Sequence, residues 1–167
     1  MKIKLNSIPI GIHNIALSKD VHDFGLQVPF YGNAEVEVKV DRSEHQIVLN
    51  CKFSTQLLLN CDRCLAEYEQ KVFGEFTVIY LAERIDEEID ATNVYELTPD
   101  LTYIDLTNDF YDFINLSVPL KHICSEDCKG LCPTCGANLN VETCDCESEK
   151  VNPIWEPLLK LKKDLND

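Results

Sequence analysis

Paired cysteines are the residues of this sequence whose type and spacing can do chemistry. Eight of the nine cysteines form four close pairs: Cys61 with Cys64, Cys124 with Cys128, Cys132 with Cys135, and Cys144 with Cys146. Thiolates two to four residues apart can reach one metal ion from a single turn, and zinc prefers four ligands in a tetrahedron. Eight cysteines in such pairs therefore predict two closed zinc sites, with two ions per chain.

The grouping of these pairs into sites follows from the strongest motif, CPTCG at 132–136. Its two cysteines flank a turn, and Gly136 tolerates a left-handed backbone. With the CDC at 144–146 it predicts one compact, ribbon-like site, which leaves the pairs at 61/64 and 124/128 to share the second ion. Three alternatives stay open: the 124/128 pair sharing an ion with the 144/146 pair, a single occupied site, and His122 replacing a thiol.

The same thiols allow other chemistry. A C-x-x-C pair also builds thiol oxidoreductases, but CDRC at 61–64 has only Arg63 as a cation and no clear helical pattern after it. An iron–sulfur cluster is a further alternative, although the CPTCG turn is more typical of zinc. Cys51 has no nearby cysteine and lies on the apolar side of a predicted strand, so we expect a small buried residue there.

Signals for an enzyme are missing from the sequence. It contains no G-x-x-x-x-G-K, G-x-G-x-x-G, G-x-S-x-G or H-E-x-x-H motif. A closed four-cysteine site leaves no coordination position for water or substrate. We therefore expect a binding or assembly protein without catalytic residues and without a small-molecule substrate.

Charge and hydropathy limit the partners. The 15 basic and 29 acidic residues give a net charge of -14, which disfavours broad phosphate binding and favours a basic protein partner. Neither a signal peptide nor a run of about 18 apolar residues is visible, which predicts a soluble, cytoplasmic protein with no membrane contact. The acidic segment 82–100 is expected to form a solvated loop, or else an acidic docking surface.

The elements that must position the cysteines are mostly strands. Residues 1–32 suggest an edge strand followed by loop or short helix. Alternating apolar residues then predict three strands, at about 34–40, 47–59 and 68–80, joined by short turns. Such a succession is typical of an antiparallel meander with one covered face, and a barrel-like closure is an alternative.

Two helices complete the predicted fold. Phe110, Phe113 and Ile114 recur at helical spacing, with Asp105 or Thr107 as a cap and an end before Pro119. A second, short helix is expected from Glu156 onward. The predicted fold is thus α+β, with a β-sheet domain and one packing helix at 1–120, and a zinc-ribbon-like segment at 121–167 packed on it.

A resemblance to a known family rests on several of these motifs in order: CDRC at 61–64, IDL at 104–106, the stretch from INLSVPLKHIC to CPTCGANLN at 114–140, and CDC at 144–146. The chain resembles the bacterial and plastid YceD family. The resemblance implies a role in accumulation of large-subunit ribosomal RNA, as an assembly factor whose candidate partners are a basic large-subunit ribosomal protein or precursor rRNA. The family's paired cysteines correspond to those at 61, 64, 124 and 128, and its more cysteine-rich members also match those at 132, 135, 144 and 146.

Three interpretations therefore compete. The first is a zinc-stabilised ribosome-assembly factor, for which Lys160, Lys162 and Lys163 are candidate phosphate contacts, or else simply the solvated face of the terminal helix. The second is a thiol-redox or metal-sensing protein that uses the C-x-x-C pairs. The third is a protein-interaction module that uses a sheet edge and the acidic segment.

Overall fold

The computed structural model describes residues 1–82 and 93–146. The predicted terminal helix, with its three lysines, and most of the acidic segment lie outside the described residues. The chain divides into two compact units: the sheet unit, Met1–Leu59 with Glu67–His122, and the cysteine unit, Asn60–Ala66 with Ile123–Asp167. The predicted packing of a cysteine-rich segment on the sheet domain stays a prediction.

The described residues form seven strands and one α-helix, with two short 3₁₀ turns at Leu5–Ser7 and Val21–Phe24. In chain order the elements are β1 (Lys2–Lys4), β2 (Gly11–Asp20), β3 (Phe30–Arg42), β4 (Gln46–Asn60), β5 (Glu67–Leu81), β6 (Val94–Glu96), β7 (Tyr103–Asp105) and α1 (Thr107–Leu116). The prediction of an α+β protein built on a sheet with one helix is confirmed for this part of the chain.

Strands β3, β4 and β5 are the three strands that the alternating pattern predicts. In β3, Val36, Val38 and Val40 are each 1% exposed, while the residues between them face solvent. The β3–β4 pair is antiparallel, with Val38 opposite Cys51 and Val40 opposite Leu49, so the two apolar faces coincide. This alignment places the inner side chains of neighbouring strands in one core.

Two features of the sheet differ from the prediction. Strand β2, expected to be loop or short helix, pairs antiparallel with β3 along its whole length. It carries apolar residues on both faces, including the exposed Ile12, so its period of two is blurred. At the other side, β6 lies within the predicted acidic loop and pairs parallel with β5. The sheet is therefore mixed rather than a purely antiparallel meander.

The barrel-like alternative is wrong. The strand order of the larger sheet is β2-β3-β4-β5-β6, and β1 and β7 form a separate two-stranded sheet. Because β6 has only three residues and pairs with β5 alone in the described part of the chain, it cannot close the sheet onto the ten-residue β2. The larger sheet consequently stays open.

Helix α1 packs on the inner face of the sheet through aromatic side chains. Phe110 is fully buried and lies 5.6 Å from Phe24, 6.4 Å from Phe53 and 4.9 Å from Phe76, measured between ring centroids. Burial of one such side chain contributes about 2 to 3 kcal/mol. The carboxylate of Asp105 accepts a hydrogen bond from the Thr107 backbone N–H, the first of the helix, at 3.1 Å. The N-cap position itself is Leu106, so neither of the two predicted residues is the cap. Within the described residues, no helix is long and apolar enough to cross a membrane.

Candidate metal centres

The first C-x-x-C pair lies in a tight turn that directly follows β4. The Cys61 N–H donates to the Ala66 carbonyl, and the Leu65 N–H donates to the Cys61 carbonyl, both at 2.9 Å. Leu65 has a φ of 59°, in the left-handed region that residues other than glycine rarely adopt. This local hydrogen bonding folds the backbone around Cys61 and Cys64 so that their side chains can point to one side.

The second C-x-x-C pair repeats this turn. The Cys132 N–H donates to the Ala137 carbonyl at 2.8 Å, and the Gly136 N–H donates to the Cys132 carbonyl at 2.9 Å. Gly136, with a φ of 75°, stands where Leu65 stands in the first turn. The two hexapeptides 61–66 and 132–137 therefore share one backbone design, although only their cysteines and the final alanine are identical.

The first turn joins with the 124/128 pair to form cluster A, defined as Cys61, Cys64, Cys124 and Cys128. All four sulfurs lie within 4.8 Å of one another. The Sγ atoms of Cys64 and Cys124 are 3.7 Å apart, and those of Cys61 and Cys128 are 3.8 Å apart. Cys61 is fully buried, and its sulfur accepts the backbone N–H of Cys124 at 3.4 Å.

Backbone and side-chain hydrogen bonds hold the two parts of cluster A together. The guanidinium of Arg63 donates to the carbonyls of Glu126, at 3.3 Å, and Cys128, at 2.9 Å. The Leu131 N–H donates back to the Arg63 carbonyl at 3.1 Å. Gly130, which lies between Cys128 and Leu131 in the sequence, has a φ of 77°. A Cβ on this residue would lie 3.1 Å from the Arg63 carbonyl oxygen. A glycine is needed at this point because of both the backbone conformation and the close approach.

The remaining cysteines form cluster B, defined as Cys132, Cys135, Cys144 and Cys146. Their four sulfurs also lie within 4.8 Å of one another. Cys132 is buried whereas Cys135 and Cys146 are exposed, so cluster B is more open to solvent than cluster A. The strand-like bridge between Leu131 and Asn138 brackets the turn that carries Cys132 and Cys135.

The geometry of the clusters fits one tetrahedral ion each. With metal–sulfur bonds of about 2.3 Å, a tetrahedron of thiolates has an edge of about 3.8 Å. The sulfur separations of 3.7 and 3.8 Å in cluster A match this edge. They are also far longer than a disulfide bond, which measures about 2.05 Å. Each cluster can therefore hold a metal ion.

The pKa values of the thiols show the same organisation in both clusters. Backbone N–H groups, chiefly that of Cys124, lower the pKa of Cys61 to about 6, and those of Cys135 and Thr134 lower the pKa of Cys132 to about 6. Hydrogen bonding to a neighbouring cysteine sulfur, followed by burial, raises the pKa of Cys124 and of Cys146 to about 12. One sulfur of each cluster thus ionises readily and its neighbour resists. A divalent cation offsets the repulsion between neighbouring thiolates and so favours ionisation of all four ligands.

The structure brings together the pairs that the compact-site hypothesis groups, and the swapped arrangement of 124/128 with 144/146 is not the one formed. The sulfurs alone make up each four-residue group, without His122. Cys51 is 1% exposed and belongs to the core of the sheet unit, as expected. Lys160, Lys162 and Lys163 lie outside the described residues.

Sequence reasoning missed the residues that support the sulfurs. Asn140 donates its side-chain amide N–H to the sulfur of Cys128 at 3.4 Å. The sequence indicates Arg63 only as a neighbouring charge and not as a donor to the Cys128 carbonyl. The only signal in the sequence is that Asn138 and Asn140, both turn formers, lie between the two halves of cluster B.

Comparison with protein families now adds to this geometry. Residues 49–162 match the family model described as "Large ribosomal RNA subunit accumulation protein YceD", a span that contains all eight clustered cysteines. The chain belongs to the YceD family. The resemblance inferred from the sequence motifs is thereby confirmed.

Relatives of this YceD-family chain include plant and bacterial proteins. It is 25% identical to the Arabidopsis thaliana "Large ribosomal RNA subunit accumulation protein YCED homolog 1, chloroplastic", over 90% of this chain and 54% of that protein. The Zea mays protein of the same name is 27% identical over 71% of this chain and 50% of that protein. An uncharacterized protein of Mycobacterium tuberculosis is 25% identical over 76% of this chain and 61% of that protein. The chain spans about half the length of the two plant relatives, and no solved structure matches it.

Proposed function

We propose that this chain is a non-enzymatic, zinc-stabilised assembly factor that supports accumulation of large-subunit ribosomal RNA. The observation that carries the proposal is the family match over residues 49–162, joined with the printed names of the plant relatives. We also propose a cytoplasmic setting, in which thiols stay reduced and available to a metal.

Zinc is the ion that we assign to both clusters. Four thiolates at tetrahedral spacing suit zinc, and a single iron can occupy the same geometry. A four-thiolate zinc site carries a net charge of about -2 and has no open position for a substrate. In this proposal the ions stabilise the fold of the cysteine unit, and the protein acts by binding.

The partner that we propose is a basic large-subunit ribosomal protein, precursor rRNA, or both. The net charge of -14 before any metal is counted favours the basic protein, because opposite fields steer association. Contact with RNA would have to be local, and Lys160, Lys162 and Lys163 are its candidates. No membrane and no small-molecule substrate enters the proposal.

The direct test is genetic complementation in the source organism. Loss of the chain should lower the ratio of large-subunit to small-subunit rRNA, and the wild-type chain should restore it. A Cys64→Ser variant, which removes a ligand of cluster A, should fail to restore the ratio, whereas Cys51→Ala, which removes a thiol outside both clusters, should succeed. An unchanged rRNA ratio after loss of the chain would overturn the proposed function.

A second experiment separates the two kinds of partner. Binding to large-subunit rRNA fragments is measured across a salt series with wild type and with Lys160, Lys162 and Lys163 all changed to Gln. If these lysines contact phosphates, the negative slope of log affinity against log salt concentration should become shallower by about 2 to 3 in the triple variant. A matched control changes Lys39, Lys52 and Lys71 of the sheet to Gln and removes the same charge elsewhere. Absent or salt-insensitive binding would leave the basic protein as the partner.

The thiol-redox alternative has one observation in its favour, the lowered pKa of Cys61. Reactive thiols must also be accessible, and Cys61 is fully buried. Titration of the native protein with a thiol reagent distinguishes the two functions. Fast reaction at Cys61 or Cys64 with no metal bound would favour redox chemistry.

A further inference from the structure

The side-chain amide of Asn140 contacts the cluster A segment through both its nitrogen and its oxygen. Its amide N–H donates to the sulfur of Cys128 in cluster A at 3.4 Å. Its amide oxygen accepts the backbone N–H of Lys129 at 2.8 Å. The one side chain therefore holds both a proposed ligand of cluster A and the residue that follows this ligand.

The turn that carries Asn140 belongs to cluster B. Residues 136–143 connect the C-x-x-C half of cluster B to its C-x-C half. Within this connection the side-chain oxygen of Asn138 accepts the backbone N–H of Asn140 at 3.0 Å. The backbone carbonyl of Asn138 accepts the backbone N–H groups of Val141 and Glu142, each at 3.0 Å. An ion that holds both halves of cluster B fixes the two ends of this connection.

The backbone completes the link between the clusters. The Leu139 N–H donates to the Gly130 carbonyl at 3.0 Å, two residues after Cys128. Hydrogen bonds from outside the coordination shell orient a metal ligand, and their loss typically weakens metal binding. The sulfur of Cys128 thus depends on a turn whose shape depends on cluster B.

We propose that Asn140 couples the two metal sites, so that an ion in cluster B strengthens the binding of an ion in cluster A, and the reverse. The coupling rests on the proposed occupancy of both clusters by zinc. Cluster B orders the 136–143 connection, which presents the Asn140 amide to Cys128. Asn140 does not itself bind metal, and it acts as a positioning residue. Because coupling between two binding events is reciprocal, each cluster gains the same factor in affinity.

Four proteins test the coupling as a double-mutant cycle. They are the wild type, Asn140→Ala, a chain without cluster B ligands (Cys132→Ser with Cys135→Ser), and the combination of all three changes. Each full chain is loaded with cadmium-113 as a spectroscopic probe, and cadmium is withdrawn with a competing chelator. The two ions give separate resonances, and the signal that disappears in Cys64→Ser belongs to cluster A.

The proposal predicts that Asn140→Ala weakens the ion in cluster A about tenfold or more, and that loss of cluster B has a similar effect. In the Asn140→Ala background, loss of cluster B should cause less than a further doubling of the dissociation constant. The cadmium resonance of cluster A should also shift in Asn140→Ala, because the sulfur loses a hydrogen-bond donor.

Two further variants guard against an effect of general misfolding. Asn140→Asp keeps the oxygen that accepts the Lys129 N–H but replaces the donor to Cys128 with an oxygen, so it should weaken cluster A at least as much as Asn140→Ala. Val141→Ala alters an exposed neighbour in the same turn and should leave both affinities unchanged.

The outcomes separate this inference from the proposed function. Two tightly bound ions in the wild type, with a cluster A affinity that does not change across the four proteins, would overturn the coupling alone. An equal loss of affinity on removal of cluster B, with and without Asn140, would overturn the role of Asn140. A wild-type chain that binds fewer than two ions would overturn the proposed metal sites, and the coupling with them.

Discussion

The sulfur of Cys61 lies 3.8 Å from the sulfur of Cys128, although 67 positions separate these cysteines in the sequence. The turn after β4 and the segment that begins at Ile123 thus meet at one point within the cysteine unit. A cross-link that closes a long loop removes conformational entropy from the unfolded chain. An ion in cluster A should therefore stabilise the cysteine unit more than a purely local site would.

The first prediction concerns cluster A. Cys64→Ser should release one of the two ions and loosen the segment 123–131, because the sulfur that holds it to the turn at 61–66 is lost. Metal analysis and limited proteolysis report the two effects. Cys51→Ala serves as the control and should keep both ions. Retention of full metal content by Cys64→Ser would contradict the assignment of cluster A.

The second prediction concerns cluster B. Cys132→Ser should release the other ion and increase proteolysis of the cysteine-rich C-terminal segment, because structural zinc contributes folding energy directly. The circular-dichroism signal of the β-strands, which the sheet unit contributes, should change little. If the variant kept both ions and its protease resistance, the compact grouping of these four cysteines would be wrong.

The third prediction uses the repeated turn. A non-glycine residue in the left-handed region costs about 1 to 2 kcal/mol, whereas glycine costs about 0.5 to 1 kcal/mol through the unfolded chain. Leu65→Gly should accordingly stabilise the protein slightly, by less than about 1 kcal/mol. Gly136→Leu, at the equivalent position of the second turn, should destabilise it by a similar or larger amount. Denaturant unfolding measures both changes, and a change of the same sign in the two variants would contradict the repeated design.

The compact cluster B and the three central strands were predictable because each depends on spacing within a short stretch, and cluster A followed as the two pairs that remained. Val36, Val38 and Val40 alternate with charged residues, and both C-x-x-C pairs of this chain form local turns. Other features depend on residues distant in sequence. The contact of Asn140 with Cys128 requires the folded 136–143 connection, and the parallel pairing of β6 with β5 involves only three residues. Ile12 lies on the outer face of β2 and conceals the period of that strand.

The fourth prediction concerns the core of the sheet unit. A Cβ at Gly74 would lie 2.3 Å from a ring carbon of Phe53, so Gly74→Ala forces this ring out of its place beside Phe110. Overpacking of this kind costs about 1 to 3 kcal/mol. The double variant Gly74→Ala with Phe53→Leu should lose less stability than the sum of the single changes. Strict additivity in denaturant unfolding would argue against the contact.

The fifth prediction is a dependence of stability on alkaline pH. Burial, with a smaller effect of Asp109, raises the pKa of Cys51 from 9.0 to about 12. The unfolded chain releases this proton first, so the stabilising contribution is complete below pH 9 and is lost as pH rises toward 12. Cys51→Ala should flatten the loss of stability in this window relative to wild type. Parallel curves for the two proteins would contradict the raised pKa.

Metal analysis of the purified full chain, after dialysis under reducing conditions, tests the two four-cysteine sites most directly. We predict two zinc ions per chain, one in each cluster. A content of one ion or none, or iron in place of zinc, would contradict this assignment.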